Sequence, residues 1–384
     1  MKIIAMLLSN SFKPDPRVLK EAEHLQKSGY QILILCWDRQ ADLVAEETLA
    51  SGVKIVRIQN VLSGYGIGTG QLGKLPRFWK AVQPILGKIR PNLIHCHDFD
   101  TLPAGLWYAK RHHMPVIYDA HEYYADLVKP RLKGFSGILL YRSIRWAERF
   151  FASYSNAIVT VDDTLATIYR KYNHQVIVLD HYPERRFAEQ GNPVFSRPTL
   201  KMIYAGRLSV DRGLLLYVDL LRILLEENIP AHLTLAGVYT PEHEKFRLFD
   251  YAKGLEKHIS DLGWIPYECI SDVYQSADIG LSILLPEPRY VAAVPVKLFE
   301  YMASGLPVLV SNFPATAEII KDADCGILVD PCADLSEVTP KIISWWNDPS
   351  VPRQLGENGR RAILSKYNWE NQVNRLVMLY QDNL

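Results

Sequence analysis

Along the chain, short apolar runs alternate with longer stretches in which apolar residues recur at helical spacing. That alternation predicts stacked βαβ units and a parallel sheet. In the first half, the runs at 2–8, 31–37, 53–59, 92–97, 115–120, 157–161 and 176–180 predict strands. Between the first two, segment 15–28 sets Val18, Leu19, Ala22 and Leu25 on one face and predicts a helix. The stretch 183–198 carries three prolines, turn residues and charges with little apolar period, which predicts an interdomain linker. The alternation then restarts, with strands expected at 200–205, 231–236, 279–284, 307–310 and 326–329 and a helix at about 214–227. A last helix beginning near Trp369 follows the sheet and is expected to pack back toward the amino-terminal domain. The expectation is an α/β protein of two Rossmann-like domains, 1–185 and 199–366, with a linker at 186–198 and a terminal helix at 367–384. In such sheets ligands sit at the carboxyl ends of the strands, so the chemistry belongs in the loops that follow them.

At 384 residues the chain exceeds one ordinary core and suits two domains. Hydrophobic residues make up 48% and charged residues 22%, the balance of a soluble globular protein. Cys36, Cys96, Cys269, Cys325 and Cys332 stand singly with no paired framework, which suits a reducing, cytoplasmic compartment. The apolar amino end is too short for a signal peptide and predicts a first buried strand. No run approaches the roughly 18 apolar residues of a membrane span. Charge, however, is uneven: residues 1–190 hold 25 Lys and Arg against 18 Asp and Glu, and residues 191–384 hold 18 against 24. Scatter of surface charge and an anionic partner of the first half both account for that difference.

Two segments of the second half carry phosphate chemistry. In Gly206-Arg207-Leu208-Ser209-Val210-Asp211-Arg212-Gly213 a strand ends at a glycine, two arginines follow, and a helix starts. Glycine allows close backbone approach, and two guanidinium forks can clamp phosphate oxygens. The alternative is that Asp211 and Arg212 are ordinary surface charges. In Pro295-Val296-Lys297-Leu298-Phe299-Glu300-Tyr301-Met302-Ala303-Ser304-Gly305-Leu306-Pro307-Val308 a short helix turns sharply into a strand. Lys297 and Glu300 share a helix face, either as a salt bridge or as a lysine for a phosphate and a carboxylate for a diol.

Together these segments resemble the donor site of retaining glycosyltransferases of family 4, which have the GT-B fold. The likeness covers nearly the whole chain. Asp15-Pro16-Arg17-Val18 is similar to the family's opening, Tyr118-Asp119-Ala120-His121-Glu122 to its mid-domain motif, and Tyr367-Asn368-Trp369-Glu370 to its carboxyl-terminal one. The resemblance implies two Rossmann-like domains facing each other across a cleft and hexosyl transfer from a nucleotide-diphosphate sugar with retention of configuration. It implies that Arg207 and Arg212 hold the diphosphate with Lys297, and that Glu300 accepts from the ribose hydroxyls. Gly206, Leu298 and Phe299 would complete the donor site, with Trp264 and Ile265 beside the base and His121 at the donor sugar. One position departs from the family. The glutamate expected eight residues before Glu300 is Ala292, as in a subgroup that lacks it, which leaves the sugar's identity open.

On the acceptor side, His95-Cys96-His97-Asp98-Phe99-Asp100 closes one strand and Asp119-Ala120-His121-Glu122 the next. Arg17, His97, Asp98 and Glu122 are the acceptor-side candidates. Asp100 is equally suited to cap the following helix. His95 and His97 alternate as a metal pair would, and Asp98-Phe99-Asp100 matches a metal-binding Asp-x-Asp. Because Arg207, Arg212 and Lys297 already serve the diphosphate, no metal or cofactor is expected there. Segments 71–90 and 129–151 are amphipathic and strongly basic, carrying between them only Glu148 as an acid. They predict peripheral attachment to an anionic membrane surface, where a lipid-linked or saccharide acceptor of polysaccharide or glycolipid assembly would be met. No nucleic-acid partner is expected. A nucleotide-sugar epimerase of the same fold, a metal-dependent hydrolase using the His-x-His pair, and a non-catalytic nucleotide-binding protein remain as alternatives.

Overall fold

The computed structural model describes residues 1–384 apart from Pro14, 65–72, 130–133, 190–197 and Ala292. The chain divides into two compact units, one formed by Met1–His181 with Gln372–Leu384 and the other by Tyr182–Asn371.

The first unit is built on eight strands: β1 (Ile3–Leu8), β2 (Gln31–Trp37), β3 (Glu46–Thr48), β4 (Lys54–Ile58), β5 (Leu93–His97), β6 (Val116–Ala120), β7 (Ala157–Thr160) and β8 (Val176–Val178). Their order is β3-β4-β2-β1-β5-β6-β7-β8, parallel except for the β3–β4 pair. Helices cover both faces of the central strands, and this is why β1, β2 and β5 read as unbroken apolar runs rather than as alternations. Ile4, Ala5, Met6 and Leu7 are fully buried, in register with Ile32–Leu35 on one side and Leu93–Cys96 on the other. The helix Leu75–Ile89 lays Phe78, Val82 and Leu86 into this core, and Phe78 stacks on Trp37 with ring centroids 5.0 Å apart. Strand order reverses between β1 and β5, so their carboxyl ends mark the ligand side.

The second unit carries six parallel strands: β9 (Leu200–Ala205), β10 (Ala231–Ala236), β11 (Ile259–Gly263), β12 (Ile279–Ser282), β13 (Val308–Ser311) and β14 (Gly326–Val329), in the order β11-β10-β9-β12-β13-β14. Here the reversal falls between β9 and β12. Two strands have no counterpart in the apolar pattern, β3 with Glu46-Glu47-Thr48 and β11 with Ile259-Ser260-Asp261-Leu262-Gly263. Both lie at sheet edges, where one flank needs no apolar partner and charged residues discourage further pairing. Residues Arg185–Glu189 form a short helix whose Ala188 is buried in the second core, while 190–197, most of the expected linker, lie outside the described residues. The terminal helix Trp369–Asn383 starts in the second unit and ends in the first, where Leu376 and Tyr380 are buried.

Candidate active site

At the carboxyl end of β9 the chain must turn from strand to helix within a few residues, and backbone crowding dictates how. Gly213, at φ 79°, caps that turn; a Cβ there would lie 1.9 Å from the Ile283 carbonyl oxygen, so no other residue fits. Gly237, which follows β10, is constrained likewise, since its Cβ would meet the Gly206 oxygen at 1.7 Å. Two buried tyrosines then fix the intervening loop. Tyr204 Oη donates to the Arg207 carbonyl at 3.0 Å, and Tyr217 Oη to the Arg212 carbonyl at 2.8 Å.

The result is that Arg207 and Arg212 converge. Tyr290 Oη accepts from Arg207 Nη2 at 3.0 Å and from Arg212 Nε at 3.2 Å, and donates to Asp211 Oδ2 at 2.7 Å. Arg289 Nη2 donates to the same Asp211 oxygen at 2.6 Å. Asp211 is therefore not a stray surface charge but the anion that organises the cluster. The helix Val296–Ala303 brings the remaining groups. Lys297 Nζ donates to Glu300 Oε2 at 2.8 Å, and the buried Tyr274 Oη donates to that oxygen at 2.6 Å. Lys297 runs past the end of β9, its Cε 3.8 Å from where a Cβ on Gly206 would sit. Three arginines and a lysine thus meet two carboxylates, and such an excess of cation suits an anionic ligand.

The other donor-side candidates sort differently. Trp264 is 69% exposed, and Ile265 is half-buried against the second core. Leu298 and Phe299 are core residues, Phe299 packed against Tyr182 and Tyr367. The Leu298 N–H donates to the Pro295 carbonyl in the first turn of the helix Val296–Ala303. Ala292 lies outside the described residues. Sequence pattern did not single out Tyr290, Tyr274 or Asp211 as organisers, because nothing in local spacing ties a tyrosine of the short helix Pro288–Val291 to arginines about eighty positions earlier.

In the first unit, the ends of β5 and β6 hold a buried cluster of imidazoles and carboxylates. Asp119 Oδ2 accepts from His121 Nε2 at 2.8 Å and from His97 Nδ1 at 2.9 Å. His95 and His97 stack with centroids 4.3 Å apart, and His95 Nδ1 bonds to the Tyr380 hydroxyl of the terminal helix. Burial opposes charge on His121, but Asp119 and Asp98 outweigh it and lift the imidazole to about 9. Burial and the adjacent His95 ring push His97 down to about 4, so it is neutral near pH 7. Asp98 is half-buried at φ 62° and its N–H donates to the Asp119 carbonyl at 2.9 Å. Arg17 pairs with Asp15 through Nε and Oδ1 at 3.3 Å at the start of helix Pro16–Lys27. Glu122 is exposed. Asp100 does not cap the helix Leu102–His112; Thr101 occupies that position, its hydroxyl turned back to the His97 carbonyl at 2.7 Å. Glu21, fully buried beneath this cluster, carried a legible signal: it interrupts the apolar face that Val18, Ala22 and Leu25 define.

Comparison with known proteins bears on both units. The family described as Glycosyltransferase Family 4 matches residues 17–179, and that described as Glycosyl transferases group 1 matches 188–362. An uncharacterized glycosyltransferase of Methanocaldococcus jannaschii is 23% identical over 313 residues, 77% of each chain. A GDP-mannose-dependent α-(1-6)-phosphatidylinositol dimannoside mannosyltransferase of Mycobacterium tuberculosis is 28% identical over 268 residues, 65% of this chain and 64% of that one. Among solved structures, sucrose-phosphate synthase of Thermosynechococcus elongatus superposes with a TM-score of 0.77 at 17% identity, covering 100% of this chain and 99% of that one. The chain is therefore a nucleotide-sugar glycosyltransferase of the GT-B fold, with a family-4 domain at its amino end and a group-1 domain at its carboxyl end.

Proposed function

We propose that the protein transfers a hexose from a nucleoside-diphosphate hexose to an acceptor with retention of configuration. The observation that carries this is the convergence of Arg207 and Arg212 on Tyr290 at the end of β9, with Lys297 and Glu300 on the neighbouring helix. As the bond from the anomeric carbon to the diphosphate breaks, negative charge grows on the leaving oxygen. Preorganised cations stabilise that charge without a metal. The acceptor hydroxyl attacks from the face the diphosphate leaves, and its proton passes to a phosphate oxygen. Glu300 holds the ribose diol, Trp264 and Ile265 flank the base, and Ala292 places the protein in the subgroup lacking the first glutamate. His121, with Arg17, Asp98 and Glu122 near it, serves the transferred sugar and the acceptor.

The setting we propose is the cytoplasmic face of a membrane. In the described residues no helix is long and apolar enough to cross one. The helix Gly134–Ala152, however, keeps Phe135, Ile138, Leu139, Trp146 and Phe150 exposed, between 41% and 84%, in a stripe that Arg142 shares. Its one acid, Glu148, points inward, accepting from the Tyr169 hydroxyl at 2.7 Å and the Tyr124 N–H at 2.9 Å. A basic face around exposed aromatics suits an anionic bilayer and a lipid-linked acceptor. The mycobacterial relative is named for a phosphatidylinositol dimannoside, a lipid-linked saccharide.

Incubation with UDP- and GDP-hexoses, followed by NMR, tests the reaction. Slow release of nucleoside diphosphate with the α-anomer of the free sugar appearing first is expected. A free epimer formed without acceptor would replace this proposal with an epimerase, and no turnover of any donor would remove it.

A further inference from the structure

The cluster at the ends of β5 and β6 contains buried polar atoms that have no hydrogen-bond partner among the described residues. Glu21 is fully buried, and neither of its carboxylate oxygens has a hydrogen-bond partner. The same holds for His95 Nε2, His97 Nε2 and Asp119 Oδ1. Each of these four residues offers a ligand atom within 4.8 Å of the others. A buried carboxylate with no donor near it is unfavourable unless a cation or a proton accompanies it.

The other ring nitrogens of the two imidazoles are engaged. His97 Nδ1 is held by Asp119 Oδ2 at 2.9 Å, and His95 Nδ1 by the Tyr380 hydroxyl. Imidazoles that ligate metals are anchored in this way, one nitrogen tied to a carboxylate or hydroxyl and the other left bare. The residues come from three places, the helix Pro16–Lys27, β5 and β6, so a shared ligand would tie the helix to both strand ends. Three cationic groups face Glu21, His121, Lys20 and Arg17, but His121 is bonded to Asp119, Arg17 is paired with Asp15, and none of the three makes a hydrogen bond to the Glu21 carboxylate.

We propose that Glu21, His95, His97 and Asp119 bind one divalent transition-metal ion of the zinc class. Two imidazoles and two carboxylates make a closed four-coordinate set of the sort that zinc occupies structurally, and they are unsuited to magnesium or calcium. With no open position, the ion holds Asp119 in place, and Asp119 in turn orients His121 through its other oxygen. The ion is remote in role from the diphosphate, which Arg207, Arg212 and Lys297 neutralise in the other unit.

The test uses the full-length protein, stripped by dialysis against dipicolinate and then titrated with zinc or cobalt. One equivalent bound, the intense visible bands of four-coordinate cobalt, and a zinc-dependent rise in Tm are expected. Glu21→Gln and His97→Ala should each weaken cobalt binding at least about tenfold and abolish the rise in Tm. A folded, stripped wild-type protein that takes up neither metal overturns the proposal, whatever the variants do. So does an infrared carbonyl band of a neutral acid that zinc leaves unchanged and Glu21→Gln removes, since a proton would then occupy the place of the ion. Nucleoside-diphosphate affinity measured on the same samples should not respond to zinc, which keeps failure here distinct from failure of the donor site.

Discussion

Asp100 illustrates how much a single buried group can cost. The residue is 7% exposed, its Oδ1 has no hydrogen-bond partner among the described residues, and burial together with the adjacent Asp98 raises the carboxyl to about 7. The unfolded chain releases that proton near pH 4, the native protein only near 7. Between those values the native state binds more protons, so Asp100 lowers stability as pH rises through the window, by on the order of 2–4 kcal/mol at pH 8. Asp100→Asn should therefore raise Tm at pH 8 and flatten the dependence of Tm on pH between 5 and 8. An unchanged slope in calorimetric scans would show that Asp100 is ionised throughout. Glu300 allows a second residue-scale prediction. Its carboxylate accepts from Lys297 and Tyr274, so the helix salt bridge exists, but both bonds also hold the carboxylate in one place. Glu300→Gln should weaken nucleotide binding about tenfold while inhibition by pyrophosphate stays as it was, because a ribose contact is lost and no phosphate contact is. Equal weakening of both ligands would assign Glu300 to the phosphates.

At the scale of elements, the apolar pattern was a good guide wherever burial was two-sided, and it missed two of the four edge strands among the described residues. The expected runs at 31–37, 200–205 and 231–236 coincide with β2, β9 and β10, whereas β3 and β11 carry charged or short polar residues that no apolar period marks. The two basic segments also part company. Helix Leu75–Ile89 buries Leu75, Phe78, Val82 and Leu86 as an ordinary amphipathic helix, and the start of its segment, 71–72, lies outside the described residues. Helix Gly134–Ala152 buries Gly137, Ile144, Glu148 and Ala152 and packs Leu140, Tyr141 and Phe151 partly against the core, while Phe135, Ile138, Leu139, Trp146 and Phe150 face away from it. Sequence could show the charge but not this orientation, which depends on Glu148 turning inward to Tyr118, Tyr169 and the Tyr124 amide. The protein should sediment with anionic vesicles at low salt and come off as salt screens the attraction. Trp146→Glu with Arg142→Glu should abolish sedimentation and leave Tm within about 1 °C, as these side chains are exposed. Binding that survives this double change would place the contact elsewhere.

For the whole molecule, the organisation into two α/β units was legible from the alternation of apolar runs and helical periods, and the convergence of Arg207 and Arg212 at the end of β9 because glycine, arginine and helix-start chemistry sit close together in sequence. What joins those groups was not: Tyr290 and Tyr274 reach Arg207, Arg212 and Glu300 across long sequence separations that only the parallel topology closes. The excess of basic residues in the first half and of acidic ones in the second does not describe the sites themselves. The donor cluster of the acidic half is cationic, and the buried cluster of the basic half is built on Glu21 and Asp119. If side chains rather than a metal neutralise the diphosphate, as we propose, nucleotide affinity of stripped protein should be the same with and without added manganese. The most direct test of the account is titration calorimetry of a nucleoside diphosphate against wild type, Arg207→Ala and Arg212→Ala. Each arginine supplies charge-assisted hydrogen bonds of about 1.5–3 kcal/mol, so each variant should bind at least about tenfold more weakly with unchanged Tm. Wild-type affinity in both folded variants would contradict the assignment of this cluster to the donor.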